Sequence, residues 1–262
     1  YISNIKLINT IKRFTMNLDQ KISDWLKNYL TSNKLDSFII GVSGGIDSAV
    51  TSTLCALTNK PVIVVSMPIN QASNQLQRAH NHINWLQTSF TNVLFLEYDL
   101  TLTFETFKSL FLTDNLLSLA NSRARLRMTT LYQVAAENKG IVVGTGNKVE
   151  DFGVGFFTKY GDGGVDISPI ADLTKTEVRQ LAKEIGVSNE IVQAPPTDGL
   201  WGDDRTDEDQ IGASYEELEW AMDYKGNPNN LFGREQEVYY IYQNRHKANQ
   251  HKMLPIPIFK QQ

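Results

Sequence analysis

What most narrows the fold of this chain is the run Gly41-Val-Ser-Gly-Gly-Ile-Asp-Ser48, which closes a short apolar stretch at 37–42 and opens a helical pattern at 48–57. Glycines allow positive φ and close backbone approach, so successive N–H groups can point into one concavity, and the helix behind them adds a positive dipole end. A strand that turns this way into a helix makes an anion cradle. Ser43 and Ser48 can donate hydroxyl hydrogen bonds to phosphate oxygens. Asp47 would repel a bare phosphate and suits that place as a ligand of Mg2+ carried by the phosphate. A plain Gly-rich turn with Asp47 as a helix cap is the alternative, and the complete octapeptide between a strand and a helix weighs against it. The run lacks the Gly-Lys-Ser/Thr ending of a Walker loop and the glycine spacing of the Rossmann fingerprint.

The rest of the pattern places that loop in a parallel sheet. Segments 37–42, 61–66 and 140–144 are short, β-branched and apolar without alternation, as in strands covered on both faces, and 92–96 is a fourth candidate. Helical patterns lie between them at 48–57, 71–87 and 114–138, the last opening on Asp114 as a cap. The expected fold is α/β: a doubly wound, mostly parallel sheet with helices on both faces. Ligands bind such sheets at the carboxyl ends of the strands, which brings the loops after Val42, Ser66 and Val143 together. Beyond Ile170 the patterns at 174–184, 215–224 and 234–247 predict C-terminal helices, before the proline-broken tail Met253-Leu-Pro-Ile-Pro-Ile-Phe259. Residues 193–209, rich in proline, glycine and acids without a period, read as a mobile active-site loop.

With 262 residues the chain is expected to form one domain, 1–262, with 1–16 as a leader or N-terminal extension that lacks the marks of a signal peptide. The single cysteine, Cys55, excludes an internal disulfide, and no apolar run approaches the roughly 18 residues of a membrane span. A formal net charge of −4 offers no long-range attraction to nucleic acid or to an anionic membrane. The expected setting is cytoplasmic.

At Ser43-Gly-Gly-Ile-Asp-Ser48 the chain resembles the N-type ATP pyrophosphatases of the adenine nucleotide alpha hydrolase-like fold, whose loop holds the pyrophosphate leaving group while the α-phosphate of ATP is attacked. That family includes NAD, GMP, argininosuccinate and asparagine synthetases, so the loop implies the reaction type and leaves the substrate open. A second signature, Gly144-Thr-Gly-Asn-Lys-Val-Glu150 with Gly155-Phe-Phe-Thr-Lys-Tyr-Gly-Asp-Gly-Gly-Val-Asp166, resembles the NAD synthetase family. Taken singly, Glu150 reads as a solvated helix-start carboxylate and Lys159 as a surface lysine; the run as a whole favours a site. Lys159 and Asp166 form an oppositely charged pair in a glycine-rich loop suited to a dinucleotide. Lys175 opens a helix, at the positive dipole end, where a bound phosphate would explain a cation. In the stripe Arg123, Arg125, Arg127, the first and last share a face and Arg125 points elsewhere.

The resemblance assigns ATP binding to Gly41, Val42, Ser43, Gly44, Gly45, Ile46, Asp47 and Ser48 with Thr145, Lys175 and Thr197, and among these it makes Asp47, Lys175 and Thr197 catalytic. It gives Mg2+ to Asp47 and Glu150, with Asp151 as the alternative because some relatives have one residue fewer before Phe156-Phe-Thr-Lys159. It gives deamido-NAD (nicotinic acid adenine dinucleotide) to Arg125, Lys159, Asp166, His251 and Lys252. The implied activity is a ligase of NAD biosynthesis in which the nicotinate carboxylate attacks ATP, forms an acyl adenylate and is amidated by ammonia, releasing AMP and pyrophosphate. Asp198, Asp203, Asp204 and Asp207 are the candidates for the ammonium proton. Glutamine as nitrogen source needs a cysteine nucleophile, and Cys55 lies within the helix after the phosphate loop. A homodimer is implied, with the aromatic surfaces around Trp85 and Tyr132 as either interface or core. A nucleotide-binding regulator without chemistry is the rival class, opposed by the presence of both Asp47 and Glu150.

Overall fold

The computed structural model describes residues 18–112, 115–196 and 206–261. The β-branched segments form strands because each presents apolar side chains to both faces, and the strands lie between two layers of helix. In chain order the elements are α1 (Leu18–Ser32), β1 (Ser37–Gly41), α2 (Ile46–Leu57), β2 (Val62–Ser66), α3 (Ser73–Ser89), β3 (Val93–Glu97), α4 (Thr101–Lys108), α5 (Leu116–Glu137) and β4 (Gly140–Val142). A π-helical segment (Lys148–Val154) follows, then α6 (Lys175–Glu184), α7 (Asn189–Val192), α8 (Asp207–Ile211), α9 (Tyr215–Asp223), a 3-10 turn (Pro228–Asn230) and α10 (Gly233–Met253).

Among the described residues the strands form one parallel sheet of order β3-β2-β1-β4. Register sets Ile39 of β1 beside Ile63 of β2 and Val142 of β4. Alternation along β1 then divides the core. Phe38 and Ile40 face a layer containing Leu26, Leu54, Ile83 and Leu181, while Ile39 faces one containing Phe104, Leu119 and Val134. The chain runs β1, β2, β3 in one direction and then returns to place β4 on the other side of β1. The crevice for a ligand at this switch is therefore flanked by the loop after β1 and the loop after β4. A third apolar cluster, with Val149, Val154, Ile211, Tyr215, Leu218 and Val238, binds the π-helical segment to α8, α9 and α10.

The expected doubly wound sheet is present, and the local differences have simple causes. The long helix is capped by Asn115, whose side-chain oxygen accepts from Ser118 N at 2.9 Å, not by Asp114, which lies outside the described residues. α10 runs six residues past 247, because hydrogen bonds to the loop at 153–157 hold its last turns, and so carries His251 and Lys252. The expected loop 193–209 ends in helix: Thr206 caps α8 through a reciprocal box with Asp209. Residues 197–205, with Thr197, Asp198, Asp203 and Asp204, lie outside the described residues, as does 1–17. Helices α1 and α4 and the π-helical segment had no counterpart in the sequence reading. Cys55 is fully buried and burial pushes its thiol up, as suits a small core residue. Trp85 packs against the core and stacks on His82, and Tyr132 donates its hydroxyl to Asp166.

His82 joins α3 to α2, the helix behind the phosphate loop: its Nε2 lies 3.0 Å from Ser52 Oγ, and burial lowers its pKa to about 4. The folded state thus keeps His82 neutral while the unfolded chain takes up a proton near pH 6.5. Stability from this group is complete above that pH and is lost as pH falls toward 4. Urea unfolding from pH 7 to 4 should show up to about 3 kcal/mol of acid loss from this residue. In His82→Gln the slope over that window should flatten, and an unaltered slope would remove His82 from the account.

Candidate nucleotide site between the first and fourth strands

Gly44 adopts φ +85°, and a Cβ there would meet the Gln75 carbonyl at 2.6 Å, so the loop can pass under α3 only as glycine. Ser43 and Ser48 approach each other at 3.2 Å between hydroxyl oxygens, and Ser48 donates to the Gly45 carbonyl at 3.0 Å. Gly45 is the N-cap of α2 and no side chain caps it, so Asp47 is not a helix cap. Its carboxylate turns across the crevice.

There Lys175 Nζ lies 2.6 Å from Asp47 Oδ2 and 2.9 Å from Glu150 Oε1. Three separate segments supply this bridge. Asp47 comes from the first turn of α2, Glu150 from the π-helical segment after β4, and Lys175 from the first position of α6. Thr174 fixes α6 by accepting from Glu177 N while Glu177 accepts from Thr174 N. The Lys175 side chain is only 3% exposed. Its position at a positive helix end, read from sequence as a sign of phosphate, is compensated by two carboxylates. Burial would lower the ammonium pKa, and the charges of Asp47 and Glu150 outweigh burial and raise it. Two carboxylates share one cation, so one of them is undercompensated: burial raises Asp47, whereas Lys175 and a hydrogen bond from Tyr215 bring Glu150 below its ordinary value despite burial.

The segment before Phe156 is wound as π-helix, and Glu150 within it is aimed at Lys175. Asp151 points instead against Gly146, and burial, followed by the charge of Glu150, pushes it well above the usual carboxylate range. Of the two, Glu150 is the carboxylate that meets Asp47 across a shared cation.

Two residues to which the sequence motifs gave no role complete the bridge. Asn147, fully buried, accepts from Val149 N and Glu150 N and donates to Asp47 Oδ1 at 3.4 Å. Its place ahead of a helical turn, as an Asn N-cap, was a usable signal. Tyr215 donates to Glu150 and its ring lies 4.8 Å from Lys175 Nζ. Nothing local marks Tyr215, because only the packing of α9 brings it there. Asp207, alone of the four loop carboxylates among the described residues, lies 3.4 Å from the Tyr215 hydroxyl and lines the same cleft.

The cleft measures about 320 Å3 and is lined by Ser43, Asp47, Thr145, Glu150 and Lys175 among others. The residues assigned to deamido-NAD gather elsewhere. Arg125 Nε donates to the Lys159 carbonyl at 3.3 Å, Lys159 Nζ to the His251 carbonyl at 2.6 Å, and Lys252 Nζ to the carbonyls of Gly155 and Phe157 at 2.5 and 2.7 Å. These four form one group where the end of α10 meets the loop after the π-helical segment. Lys159 and Asp166 do not pair: Asp166 accepts from Tyr132 OH and Val142 N, both at 2.9 Å, at the carboxyl end of β4. In the arginine stripe Arg127 lines the cleft, held by the Met67 carbonyl and Gln71 Oε1 at 3.0 Å each, and burial, with the charge of Arg123, lowers it to about 10.

A parallel α/β sheet with a glycine-rich strand-to-helix loop at its switch point, and buried carboxylates opposite that loop, defines a nucleotide-dependent enzyme of the doubly wound class. The family model for NAD synthase matches residues 18–255, and the chain belongs to that family. It is 34% identical over 235 residues to the NH(3)-dependent NAD(+) synthetase of Mesoplasma florum, covering 87% of this chain and 90% of that one. To the protein of the same name from Sulfurisphaera tokodaii it is 33% identical over 260 residues, covering 95% and 91%. Among solved structures, NMN synthetase from Francisella tularensis superposes with a TM-score of 0.83 at 30% identity, covering 93% of this chain and 98% of that one.

Removing the shared cation leaves two buried carboxylates facing each other. Lys175→Met should therefore cost about 3–5 kcal/mol of unfolding free energy at neutral pH. Adding Asp47→Asn should restore part of that loss, because it relieves the repulsion. Urea melts of the single and double variants check this; additive losses would show that the three charges do not act as a unit.

Proposed function

We propose that this protein amidates the nicotinate carboxylate of deamido-NAD with ammonia at the expense of ATP, forming NAD, AMP and pyrophosphate. The observation that carries the proposal is the Asp47–Lys175–Glu150 bridge opposite the phosphate loop, in a member of the NAD synthase family. The backbone N–H groups of 43–46 and the hydroxyls of Ser43 and Ser48 receive the pyrophosphate end of ATP, while Thr145 and Lys175 line the wall facing it. A substrate carboxylate oxygen then bonds to the α-phosphorus as the bond to pyrophosphate breaks. Ammonia next bonds to the acyl carbon, the carbon–oxygen bond to AMP breaks, and nitrogen releases a proton. No protein nucleophile takes part, so the chain contributes position and charge.

Asp47 and Glu150 suit a divalent cation, since their oxygens already converge on one cationic nitrogen. Mg2+ held by them would supply charge neutralisation at the phosphates. The group at Arg125, Lys159, His251 and Lys252 stands outside the cleft that holds the bridge. This separation supports a homodimer in which the dinucleotide spans two copies. No helix among the described residues is long and apolar enough to cross a membrane, and the setting proposed for the protein is cytoplasmic.

The likeness to NMN synthetase favours a second reading in which the same chemistry acts on nicotinate mononucleotide. Incubating the protein with ATP, Mg2+, ammonium and each acid in turn decides between them. The expected result is NAD and AMP in equal amounts from deamido-NAD, and preferential use of the mononucleotide would transfer the assignment. Asp47→Asn should keep the fold and lose most activity; near-normal turnover at limiting Mg2+ would reject the metal role.

A further inference from the structure

Three cationic side chains among the described residues line the cleft: Arg78, Arg127 and Lys175. Two of them are committed, Lys175 to Asp47 and Glu150 and Arg127 to the Met67 carbonyl and Gln71. Arg78 differs. Its Nε is buried and has no hydrogen-bond partner among the described residues. A buried guanidinium N–H without an acceptor is unfavourable, and the residue that carries it lines the cleft of the phosphate loop.

Its origin is fixed by close packing. The turn of α3 from Gln75 to Ala79 rests on Gly44: a Cβ there would stand 2.6 Å from the Gln75 carbonyl, 3.0 Å from Ala79 N and 3.3 Å from Arg78 Cβ. Arg78 therefore leaves its helix at the lip of the loop, on the side away from Glu150 and Lys175, which reach the cleft from beyond β4. Displacement at the α-phosphate needs attacking and leaving oxygens in line, so the leaving pyrophosphate lies within the loop and the attacking carboxylate opposite it. A fork of N–H donors at the lip of the loop matches phosphate oxygens and meets the leaving side.

We infer that Arg78 is a phosphate-binding residue that closes the cradle of Gly44 and Gly45 from the α3 side and holds the β- and γ-phosphates of ATP as they leave as pyrophosphate. This rests on the reading of the cleft as an ATP site. It adds a cation whose role grows as charge moves onto the leaving group, so it acts on turnover as well as on binding. Residues of the phosphate loop itself do not supply such a charge, since 41–48 contains no lysine or arginine.

The test uses the whole chain with inorganic pyrophosphate and AMP as separate probes, by calorimetry and by inhibition of amide formation. Arg78→Ala should weaken pyrophosphate by about tenfold or more, as expected for losing a charged hydrogen bond, and leave AMP within about twofold. It should also lower kcat/KM for ATP by at least the same factor, with Arg78→Lys recovering part of each loss. Pyrophosphate binding unchanged in Arg78→Ala, or an equal loss of AMP and pyrophosphate, overturns the assignment while the ATP site stands. If Arg78→Ala does not fold, Arg78→Gln carries the same comparison, since it keeps the aliphatic stem and loses the charge. A wild-type protein that binds neither probe overturns the ATP reading and this inference together.

Discussion

The site is organised by one buried cation held between two carboxylates. Asp47, Lys175 and Glu150 belong to segments more than 100 residues apart at the extremes, and each charge is tolerable in the interior only because the others are present. Burial alone would neutralise all three. Their mutual attraction keeps Lys175 protonated and obliges α2, the π-helical segment and α6 to meet at one point. The first turn of α2 fixes Asp47, the Thr174 capping box fixes Lys175, and Asn147 fixes the start of the π-helical segment while also reaching Asp47. The charges of the bridge and the packing of these three segments are thus set by the same contacts.

The sheet explains why that point lies where a nucleotide can reach it. Reversal of strand order between β1 and β4 leaves a crevice at their carboxyl ends, and both loops that flank it carry chemistry. On one side Gly44 lets the phosphate loop run beneath α3; on the other the wider turn of the π-helical segment carries Glu150 toward Lys175. The third apolar cluster then presses α9 against this segment and delivers the Tyr215 hydroxyl to Glu150. The sheet thus fixes the side of the cleft that carries the glycine-rich loop, and the packing of the C-terminal helices fixes the side that carries Glu150.

The residues of the second group depend on a different junction. The last turns of α10 are pinned by Lys252 to two loop carbonyls, and Lys159 returns the contact at the His251 carbonyl. Backbone acceptors hold both lysines, so their positions rely on the helix and loop remaining docked rather than on opposite charges. Asp166 belongs to the sheet and not to this group, since Val142 N and Tyr132 hold both of its oxygens.

The local code of the chain determined the parallel strands, most of the helices flanking them, the glycine loop and its anion-binding character, and the family. Those features arise from short-range causes: β-branched runs, glycine φ freedom, and residue types spaced within a dozen positions. Asp47, Glu150 and Lys175 could be named from their motifs. What they touch could not, because a pairing across 128 residues is decided by how helices pack on a sheet. For the same reason the two acids that hold Lys175 could not be named from its place at a helix start, and Lys159 and Asp166 read as a pair and proved to be held apart. Tyr215 and Arg78 had no local mark at all. Only tertiary packing placed the first beside Glu150 and set the second, with no partner for its buried Nε among the described residues, at the lip of the phosphate loop, because burial and the lack of a partner are properties of the surroundings and not of the residue.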